Sequence, residues 1–440
     1  MPFRSLRARG VPCPCLLTVV VALCLCPFPV VAQDTIPTGV RVGLTYDPST
    51  RPGVFVTAVA GELGDSVRAI LARDLDFSDR LTVVSADAGS PPSGRFNYEL
   101  YTKLGASAIV QASVTRQGSL HVAVHDVAAK RVLNVADFAF NGAAPLSPGW
   151  RMAVHRASDE VERWITSTRG IAATRIAFVR DQRLWLVDSD GANLTPVGVG
   201  GIALSPAWHP TARYLAYASM ADDGTHIVVR DLQTGQSRRM PRLGGSNITP
   251  VFSPDGGTLV YSAGDDGTDL YAVSAFGGGD APRRVTFGRG SPTSSPTFSP
   301  DGRKLAYISG RLGHPEVYIT DADGTNAELL TEAPSGDRPY RSFPDWSPDG
   351  RTVAFTSQEG PNYQVMVISM RDRRIKQLTG DARNEDPSWA PDSRHVVFTS
   401  TRSGAKQLWV LDTESGRTRQ LTRGAGVARM AAWSPRLEQP

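Results

Sequence analysis

Cysteine is nearly absent from this chain of 440 residues. The four that occur all lie near the start of the chain, at Cys13, Cys15, Cys24 and Cys26. A mature protein that lacks this segment has no thiol, which excludes disulfides and thiolate metal sites. A lipid anchor is disfavoured because leucine precedes both Cys24 and Cys26, where a lipidation signal needs a small residue.

The first 32 residues predict a secretory signal peptide. Three arginines precede an apolar stretch at residues 16–26, and Val-Val-Ala precedes Gln33, where we expect the mature chain to begin. The alternative is an uncleaved anchor, since about 20 apolar residues can span a bilayer. Four prolines between residues 12 and 29 favour the cleaved signal, after which no membrane insertion is expected.

Charge of either sign is not in excess. Lysine and arginine number 47 and aspartate and glutamate 43, and three of the arginines belong to the signal. The mature chain is therefore close to neutral, and it carries no Lys/Arg block, so nucleic acid is not an expected partner.

Catalytic motifs are also missing. The chain has no G-x-S-x-G, H-E-x-x-H or phosphate-binding glycine loop. His121 and His125 alternate with apolar residues as on a strand, so we interpret them as solvated strand histidines rather than a metal pair. The remaining histidines share no spacing and are expected in loops or at the surface: His155, His209, His226, His314 and His395. We therefore predict no enzyme activity, no cofactor and no metal site.

What the sequence does contain is a repeat. Six anchors, each an aromatic residue followed by a segment like Ser-Pro-Asp-Gly, recur every 43–48 residues and begin at Trp208, Phe252, Phe298, Trp346, Trp389 and Trp433. Such a period is typical of propellers. Ser-Pro-Asp-Gly suits a type I turn between antiparallel strands, so the repeated aspartates are interpreted as turn residues, not as catalytic or metal-binding ones.

The two ends of the repeat array complement each other. Strand-like units at residues 175–179 and 184–188 have no anchor before them, whereas the last anchor is followed by only five residues. Joined, they make one complete unit, and ring closure removes open strand edges. The predicted fold is an all-β six-bladed propeller of four-stranded antiparallel blades, closed by one C-terminal strand added to three N-terminal strands.

An α/β domain is predicted before the propeller. Helices are expected at residues 63–71, at 97–104 and after Ser147, and strands at 81–84, 108–114, 120–127 and 131–140. The domains are then residues 1–32 (signal peptide), 33–170 (α/β domain) and 171–440 (propeller).

Three segments resemble the TolB family of the Tol-Pal system: LGASAIV at residues 104–110, ASDEV with TRIAFV at 157–161 and 174–179, and AWSPRL at 432–437. The resemblance extends over the mature chain. It implies a monomeric periplasmic scaffold that binds a Pal-like peptidoglycan-associated lipoprotein over the channel mouth and a TolA-like inner-membrane protein through its N-terminus. The implied process is outer-membrane integrity and constriction during cell division.

An alternative interpretation is a periplasmic hydrolase or small-ligand-binding protein that uses the central channel. The absence of converging carboxylates or histidines beyond the turn aspartates favours the scaffold. Prolyl-oligopeptidase-like propellers share the anchors but need a hydrolase domain, for which residues 33–440 leave no room.

The predicted propeller and the family resemblance together suggest candidate partner-binding residues. Loops just before the anchors are expected to rim the channel mouth, with Ser246, Asn247, Thr249, Ser294, Ser295, Arg341, Phe343, Asn384, Glu385, Asp386 and Arg429. An N-terminal strand at Val40, Arg41, Val42 and Leu44 is expected to pair with a partner's sheet edge, although Gly43 interrupts its alternation.

Overall fold

The computed structural model describes residues 51–85, 96–198, 200–277, 281–288, 290–331 and 338–437. The predicted signal peptide and the predicted N-terminal strand at Val40, Arg41, Val42 and Leu44 lie outside these residues. None of the three helices in the described part of the chain is long and apolar enough to cross a membrane.

The first part of the described chain alternates helices and strands. Its elements are β1 (Gly53–Val56), α1 (Gly64–Phe77), β2 (Thr82–Val83), α2 (Tyr98–Lys103), β3 (Ala108–Val114), β4 (Ser119–Asp126), β5 (Arg131–Ala139) and α3 (Pro148–Thr166). The strands form one sheet in the order β2-β1-β3-β4-β5, in which β1 is parallel to both neighbours and the other pairs are antiparallel. This confirms the predicted α/β domain and adds β1, which was not predicted.

Two apolar stripes hold α1 and α3 against this sheet. Val67 and Leu71 on α1 and Val154 and Val161 on α3 are fully buried in one shared core. At the start of α3 the Ser147 hydroxyl accepts a hydrogen bond from the Trp150 N–H at 3.3 Å, which confirms the predicted cap.

The rest of the chain forms six four-stranded sheets, the blades of a propeller. Blade 1 has β9 (Ile202–Trp208), β10 (Tyr214–Ala221), β11 (Gly224–Asp231) and β12 (Ser237–Arg239); blade 2 has β13 (Ser246–Phe252), β14 (Thr258–Gly264), β15 (Asp269–Ser274) and β16 (Arg283–Arg284); blade 3 has β17 (Thr293–Phe298), β18 (Lys304–Ser309), β19 (Glu316–Asp321) and β20 (Glu328–Leu329). Blade 4 has β21 (Arg341–Trp346), β22 (Thr352–Glu359), β23 (Asn362–Ser369) and β24 (Ile375–Gln377); blade 5 has β25 (Asn384–Trp389), β26 (His395–Ser400), β27 (Gln407–Asp412) and β28 (Thr418–Gln420).

Blade 6 closes the ring as predicted. It combines the C-terminal β29 (Ala428–Trp433) with β6 (Arg175–Arg180), β7 (Arg183–Asp188) and β8 (Thr195–Pro196). β29 runs antiparallel to β6, with Trp433 opposite Ile176. The C-terminal strand thus covers an edge of the N-terminal strands that water or another chain would otherwise reach.

The anchors form the predicted turns at one face of the propeller, called here the turn face. In blade 2 the Ser253 carbonyl accepts the Gly256 N–H at 2.8 Å, and the Asp255 carboxylate accepts the Gly257 N–H at 2.9 Å. Gly256 has φ +75°, which favours glycine. These aspartates therefore stabilise turns. The opposite face, where the innermost strands begin, is called here the mouth face.

Candidate partner-binding channel

The first strand of every blade is broken at the same place. Each pairs with the second strand of its blade, but the register shifts midway, as a β-bulge does. The bulge residue has a left-handed φ of 48–54° in all six blades: Ser205, Thr249, Ser295, Phe343, Asp386 and Met430. Left-handed residues other than glycine are uncommon, so six at equivalent positions show that the architecture requires them.

Proline follows the bulge residue in five of the six blades, at Pro206, Pro250, Pro296, Pro344 and Pro387; Ala431 takes the place in blade 6. Proline has no N–H to donate to a strand ladder, so a bulge tolerates it where regular pairing does not. The six bulge residues line the central channel. We call them the bulge ring.

Hydrogen bonds between blades connect parts of the bulge ring. The Ser295 N–H donates to the Thr249 hydroxyl at 3.0 Å, and the Met430 N–H donates to the Asp386 carboxylate at 3.2 Å. Asp386 also accepts the Thr399 hydroxyl at 3.2 Å. Burial raises the pKa of Asp386, and the neighbouring Glu385 raises it further.

A second ring lies further along the same strands, at the residue before each anchor aromatic. Here three polar side chains accept the N–H of the next blade's aromatic: Thr297 from Trp346 at 3.3 Å, Asp345 from Trp389 at 2.7 Å and Ser388 from Trp433 at 3.1 Å. Burial raises the pKa of Asp345 to about 6, although the hydrogen bonds that its carboxylate accepts, first among them that from the Trp389 N–H, oppose this rise.

The two rings enclose a cavity of about 510 Å³, within the size range of ligand pockets. Its wall holds eleven prolines, four tryptophans and two phenylalanines, and only two charged residues, Asp345 and Asp386. No lysine, arginine or histidine lines it among the described residues. The channel wall is thus mostly apolar, and its two charged side chains are both acidic.

The predicted mouth residues occupy strands, which corrects the expectation of loops. Thr249, Ser295, Phe343 and Asp386 belong to the bulge ring and line the channel. The others begin the innermost strands on the mouth side of that ring; Ser246 is exposed, and Ser294 and Arg429 are half-buried.

Three of the predicted residues are buried within the propeller wall. Asn247 donates to the Leu243 carbonyl at 2.7 Å and Asn384 to the Asp381 carbonyl at 2.6 Å, and neither side chain is exposed. Arg341 is 4% exposed and forms an ion pair with Glu316. These residues hold the strand ends in place.

Glu385 is also mostly buried, and its carboxylate already has two cations. Lys406 donates to it at 2.5 Å and Arg383 pairs with it as well. Burial opposes ionisation, but these two hydrogen-bonded cations outweigh it and lower the pKa of Glu385. The Arg383 guanidinium also lies 4.4 Å from the ring centre of Tyr363.

Sequence reasoning missed several residues that line the channel, among them Ser205, Asp345 and Ser388. The signal was present in the sequence, because a proline stands two residues before the anchor aromatic in five blades. Aligning the repeats on that proline identifies both rings directly.

Apolar side chains are exposed around the mouth face. They are Met220, Phe287, Leu312, Tyr340 and Val427, which are 41–68% exposed and come from different blades or the connections between them. Exposed apolar residues grouped on one face favour a protein-binding surface. Together with the channel they define the candidate site.

The turn face is occupied differently, because the α/β domain packs there; all the described residues belong to one compact unit. The anchor aspartate of blade 5, Asp392, has a fully buried side chain that accepts a hydrogen bond from the Arg80 guanidinium of the α/β domain at 2.9 Å. His395 lies between Asp392 at 2.8 Å and Asp79 at 3.3 Å. The expectation that His395 lies in a loop or at the surface is therefore wrong, since its side chain is completely buried.

A second buried histidine lies in the same interface. His155 of α3 contacts Asp74 of α1 at 2.7 Å and lies 3.7 Å from Asp190 of blade 6. Burial alone lowers the pKa of His155, but the two carboxylates outweigh it and raise the pKa. Asp190 also pairs with Arg73 and, at 2.6 Å, with Arg151, so two guanidinium groups and an imidazole surround this carboxylate.

The expectation of a loop or surface position is thus wrong for His155, and it is wrong for His226, which is 6% exposed within β11. His125 was expected to be solvated but is 7% exposed and hydrogen-bonds the Tyr98 hydroxyl at 3.0 Å. His209 lies in the turn after β9, as expected of a loop residue, although it is only 5% exposed. His121 is partly exposed and pairs with Asp137 at 2.8 Å, in agreement with a solvated strand position.

The described residues define a six-bladed β-propeller protein with an N-terminal α/β domain and an apolar-walled central channel. Family comparison gives the next step. The family model described as the TolB beta propeller domain matches residues 161–437, and that of the TolB amino-terminal domain matches residues 53–133. The chain belongs to the TolB family.

Individual relatives agree with this assignment. The chain is 27% identical over 250 residues to the Tol-Pal system protein TolB of Gluconobacter oxydans, covering 54% of this chain and 53% of the relative. It is 30% identical over 214 residues to the protein of the same name from Anaplasma marginale, covering 45% and 47%. The matches thus span about half the length of these curated relatives.

The fold is shared with a solved structure. The crystal structure of TolB from Acinetobacter baumannii superimposes with a TM-score of 0.75 at 24% identity, covering 89% of this chain and 98% of that one. This likeness concerns the fold, including the order of the two domains.

Proposed function

We propose that this chain is a periplasmic protein-binding component of the Tol-Pal system that carries out no chemistry. Its partner surface is the mouth face of the propeller, and the partner is a Pal-like peptidoglycan-associated lipoprotein. The chain would link that lipoprotein to inner-membrane Tol components and so support outer-membrane integrity and constriction during division. The N-terminal contact with a TolA-like protein is part of the same proposal.

One observation carries the choice of surface: the exposed apolar residues on the mouth face surround an open channel. The turn face carries the α/β domain through buried ion pairs, so part of it is already covered. Interface energy concentrates in a few large side chains, which makes Tyr340 and Leu312, 46% and 53% exposed, the first candidates.

The test is capture of the lipoprotein from detergent-solubilised envelopes by the mature protein, residues 33–440. We compare the wild type with Leu312→Ser plus Tyr340→Ser, and with Leu194→Ser plus Ile375→Ser as a control. The control residues are 40% and 36% exposed and lie away from the mouth, Leu194 just before β8 and Ile375 at the start of β24.

The expected result is that mass spectrometry identifies a peptidoglycan-binding lipoprotein with the wild type and the control, and about tenfold less with the mouth variant. Equal capture by all three proteins would move the site away from the mouth face. If no such lipoprotein is captured by the wild type, the Tol-Pal assignment of this chain is wrong and a small-molecule role for the channel takes its place.

A further inference from the structure

A groove lies in the α/β domain, along the edge strand β2 of its sheet. It measures about 400 Å³, within the size range of ligand pockets, and one flank of α1 forms its other wall. All of its lining residues belong to the α/β domain, so the groove is separate from the mouth face of the propeller. The apolar part of the lining is Val56, Ala69, Ala72, Val83 and Val84.

The outer side of β2 offers backbone groups for pairing. The N–H groups of Thr82 and Val84 donate to the carbonyls of Pro52 and Val54 on the β1 side, at 3.0 and 2.9 Å. Alternate residues of a strand direct their backbone groups to opposite sides, so the N–H and carbonyl of Val83 point away from β1. Among the described residues, β2 has no second neighbouring strand. Such an edge is a template for a strand from another chain.

The groove also holds a cation without an acid. The Arg68 Nε donates to the Val56 carbonyl at 3.1 Å, which fixes this half-buried side chain at the end of β1. In the part of the chain that the structure describes, no carboxylate forms an ion pair with its guanidinium. Asp65 lines the groove too, but it lies in the first turn of α1, where the helix N-terminus compensates its charge. The remaining guanidinium donors of Arg68 are therefore available to an incoming carboxylate.

We propose that this groove binds an extended acidic segment of a partner protein, which adds a strand to β2 and places a carboxylate against Arg68. The inference goes beyond the proposed function, because it gives the α/β domain a binding surface of its own. In complexes formed by strand addition, main-chain hydrogen bonds supply affinity and the side chains that enter a pocket supply specificity. A partner that binds both here and at the mouth face would contact the two domains at once.

The groove also predicts the pattern of the bound segment. Side chains two residues apart lie on the same face of a strand, so an acidic residue with apolar neighbours at the second position on either side would present both chemistries to the groove. The apolar groups would pack on the valine and alanine side chains of the wall, and the acid would reach Arg68. A carboxylate and a guanidinium form charge-assisted hydrogen bonds, which are stronger than neutral ones.

The probe is the peptide acetyl-Val-Thr-Glu-Thr-Val-amide, and the same peptide with glutamine in place of glutamate is its uncharged control. Isothermal titration calorimetry measures the affinity of the mature protein, residues 33–440, for each peptide. The first variant is Arg68→Gln, and Arg68→Lys keeps the positive charge. Arg131→Gln is the matched control, because Arg131 is an exposed arginine of the same domain that begins the opposite edge strand, β5.

The second variant, Val83→Pro, tests strand addition. Proline removes the Val83 N–H, which β1 does not use, and sheets accept proline on edge strands where the N–H faces water. The variant should therefore fold, and unchanged thermal unfolding of every variant checks this.

We expect the wild type to bind the glutamate peptide about tenfold more tightly than the glutamine peptide. Arg68→Gln should bind the two peptides equally, whereas Arg68→Lys should keep part of the preference for glutamate. Val83→Pro should weaken both peptides by about fivefold, because each loses the same backbone hydrogen bond. Arg131→Gln should change each affinity by less than about twofold.

Equal affinity of the wild type for the two peptides overturns the proposal, and so does a preference for glutamate that survives Arg68→Gln. Unchanged binding to Val83→Pro would show that no strand is added and would overturn it as well. Failure of both peptides to bind, together with dimer formation in sedimentation that Val83→Pro abolishes, would assign the groove to a second copy of this chain instead. The capture experiment examines the mouth face and this one the α/β domain, so either proposal can fail alone.

Discussion

Replacing His395 by glutamine should remove the cation at the centre of the domain interface. The imidazole lies between Asp392 of its own anchor turn and Asp79 of the α/β domain, and no part of it is exposed. Glutamine has a similar reach but carries no proton charge, so the two carboxylates lose the cation they share. The cost of the substitution should therefore depend on pH.

The size of this dependence follows from the pKa. Burial lowers the pKa of His395, but Asp392 and Asp79 outweigh burial and raise it from 6.5 to about 9. Between these values the folded chain keeps a proton that the unfolded chain has released. The stabilisation is complete below the unfolded pKa and is lost as pH rises through about 9; at 1.36 kcal/mol per pKa unit it amounts to about 3 kcal/mol.

Urea unfolding of the mature protein at about pH 6 and about pH 9.5 measures this effect. The difference in the free energy of unfolding between the wild type and His395→Gln should be about 3 kcal/mol larger at the lower pH. His226→Gln, which removes a histidine from a pair with the exposed Asp223 outside the interface, is the control. If the difference is the same at both pH values to within about 1 kcal/mol, His395 does not hold a structural proton and the reasoning fails.

Two further predictions concern the backbone and the C-terminal tail. Gly324→Ala should lower the free energy of unfolding by at least about 3 kcal/mol, because φ is +97° and a Cβ would clash with the Val285 carbonyl. The control Gly350→Ala, at φ +75° with no atom nearer than 3.9 Å to the new Cβ, should lower it by only about 1 kcal/mol. Similar losses in the two variants would contradict the clash. Arg436→Ala should lower the free energy of unfolding by about 2–3 kcal/mol, because the guanidinium donates to three backbone carbonyls at 2.9–3.1 Å. The control Arg351→Ala, whose side chain is 85% exposed, should change it by less than about 0.5 kcal/mol. Equal effects of the two substitutions in urea unfolding would show that the tail contacts are weak.

The blade count and the closure of the ring could be predicted from sequence because local chemistry determines both. A proline and a glycine at fixed offsets specify each turn whatever surrounds it, so the period is visible without knowledge of any contact. The four-residue β1 was not predicted, for the opposite reason. It is a short apolar run whose strand identity depends on pairing with Thr82 on one side and Ala108 on the other, neither of which is a local feature.

The buried histidines could not be predicted, since their partners are distant in sequence. His395 pairs with Asp79 across 316 positions, and His155 with Asp74 across 81. No local pattern separates them from a solvated histidine. The bulge ring is an intermediate case: its prolines were visible, but the left-handed backbone that turns Asp386 toward the channel depends on register with the second strand.

The repeat also separates structural from functional positions. A residue that recurs in most blades, as the proline after the bulge does, meets a structural need that all blades share, so its role is in the fold. The bulge ring itself does not recur: serine, threonine, serine, phenylalanine, aspartate and methionine occupy one backbone position with nearly one φ value. Because five other residues at this position do not share its carboxylate, the bulge itself does not require aspartate in blade 5. Asp386 and Asp345 are the only charged side chains among the described residues of the channel wall, and both lie on the adjacent blades 4 and 5.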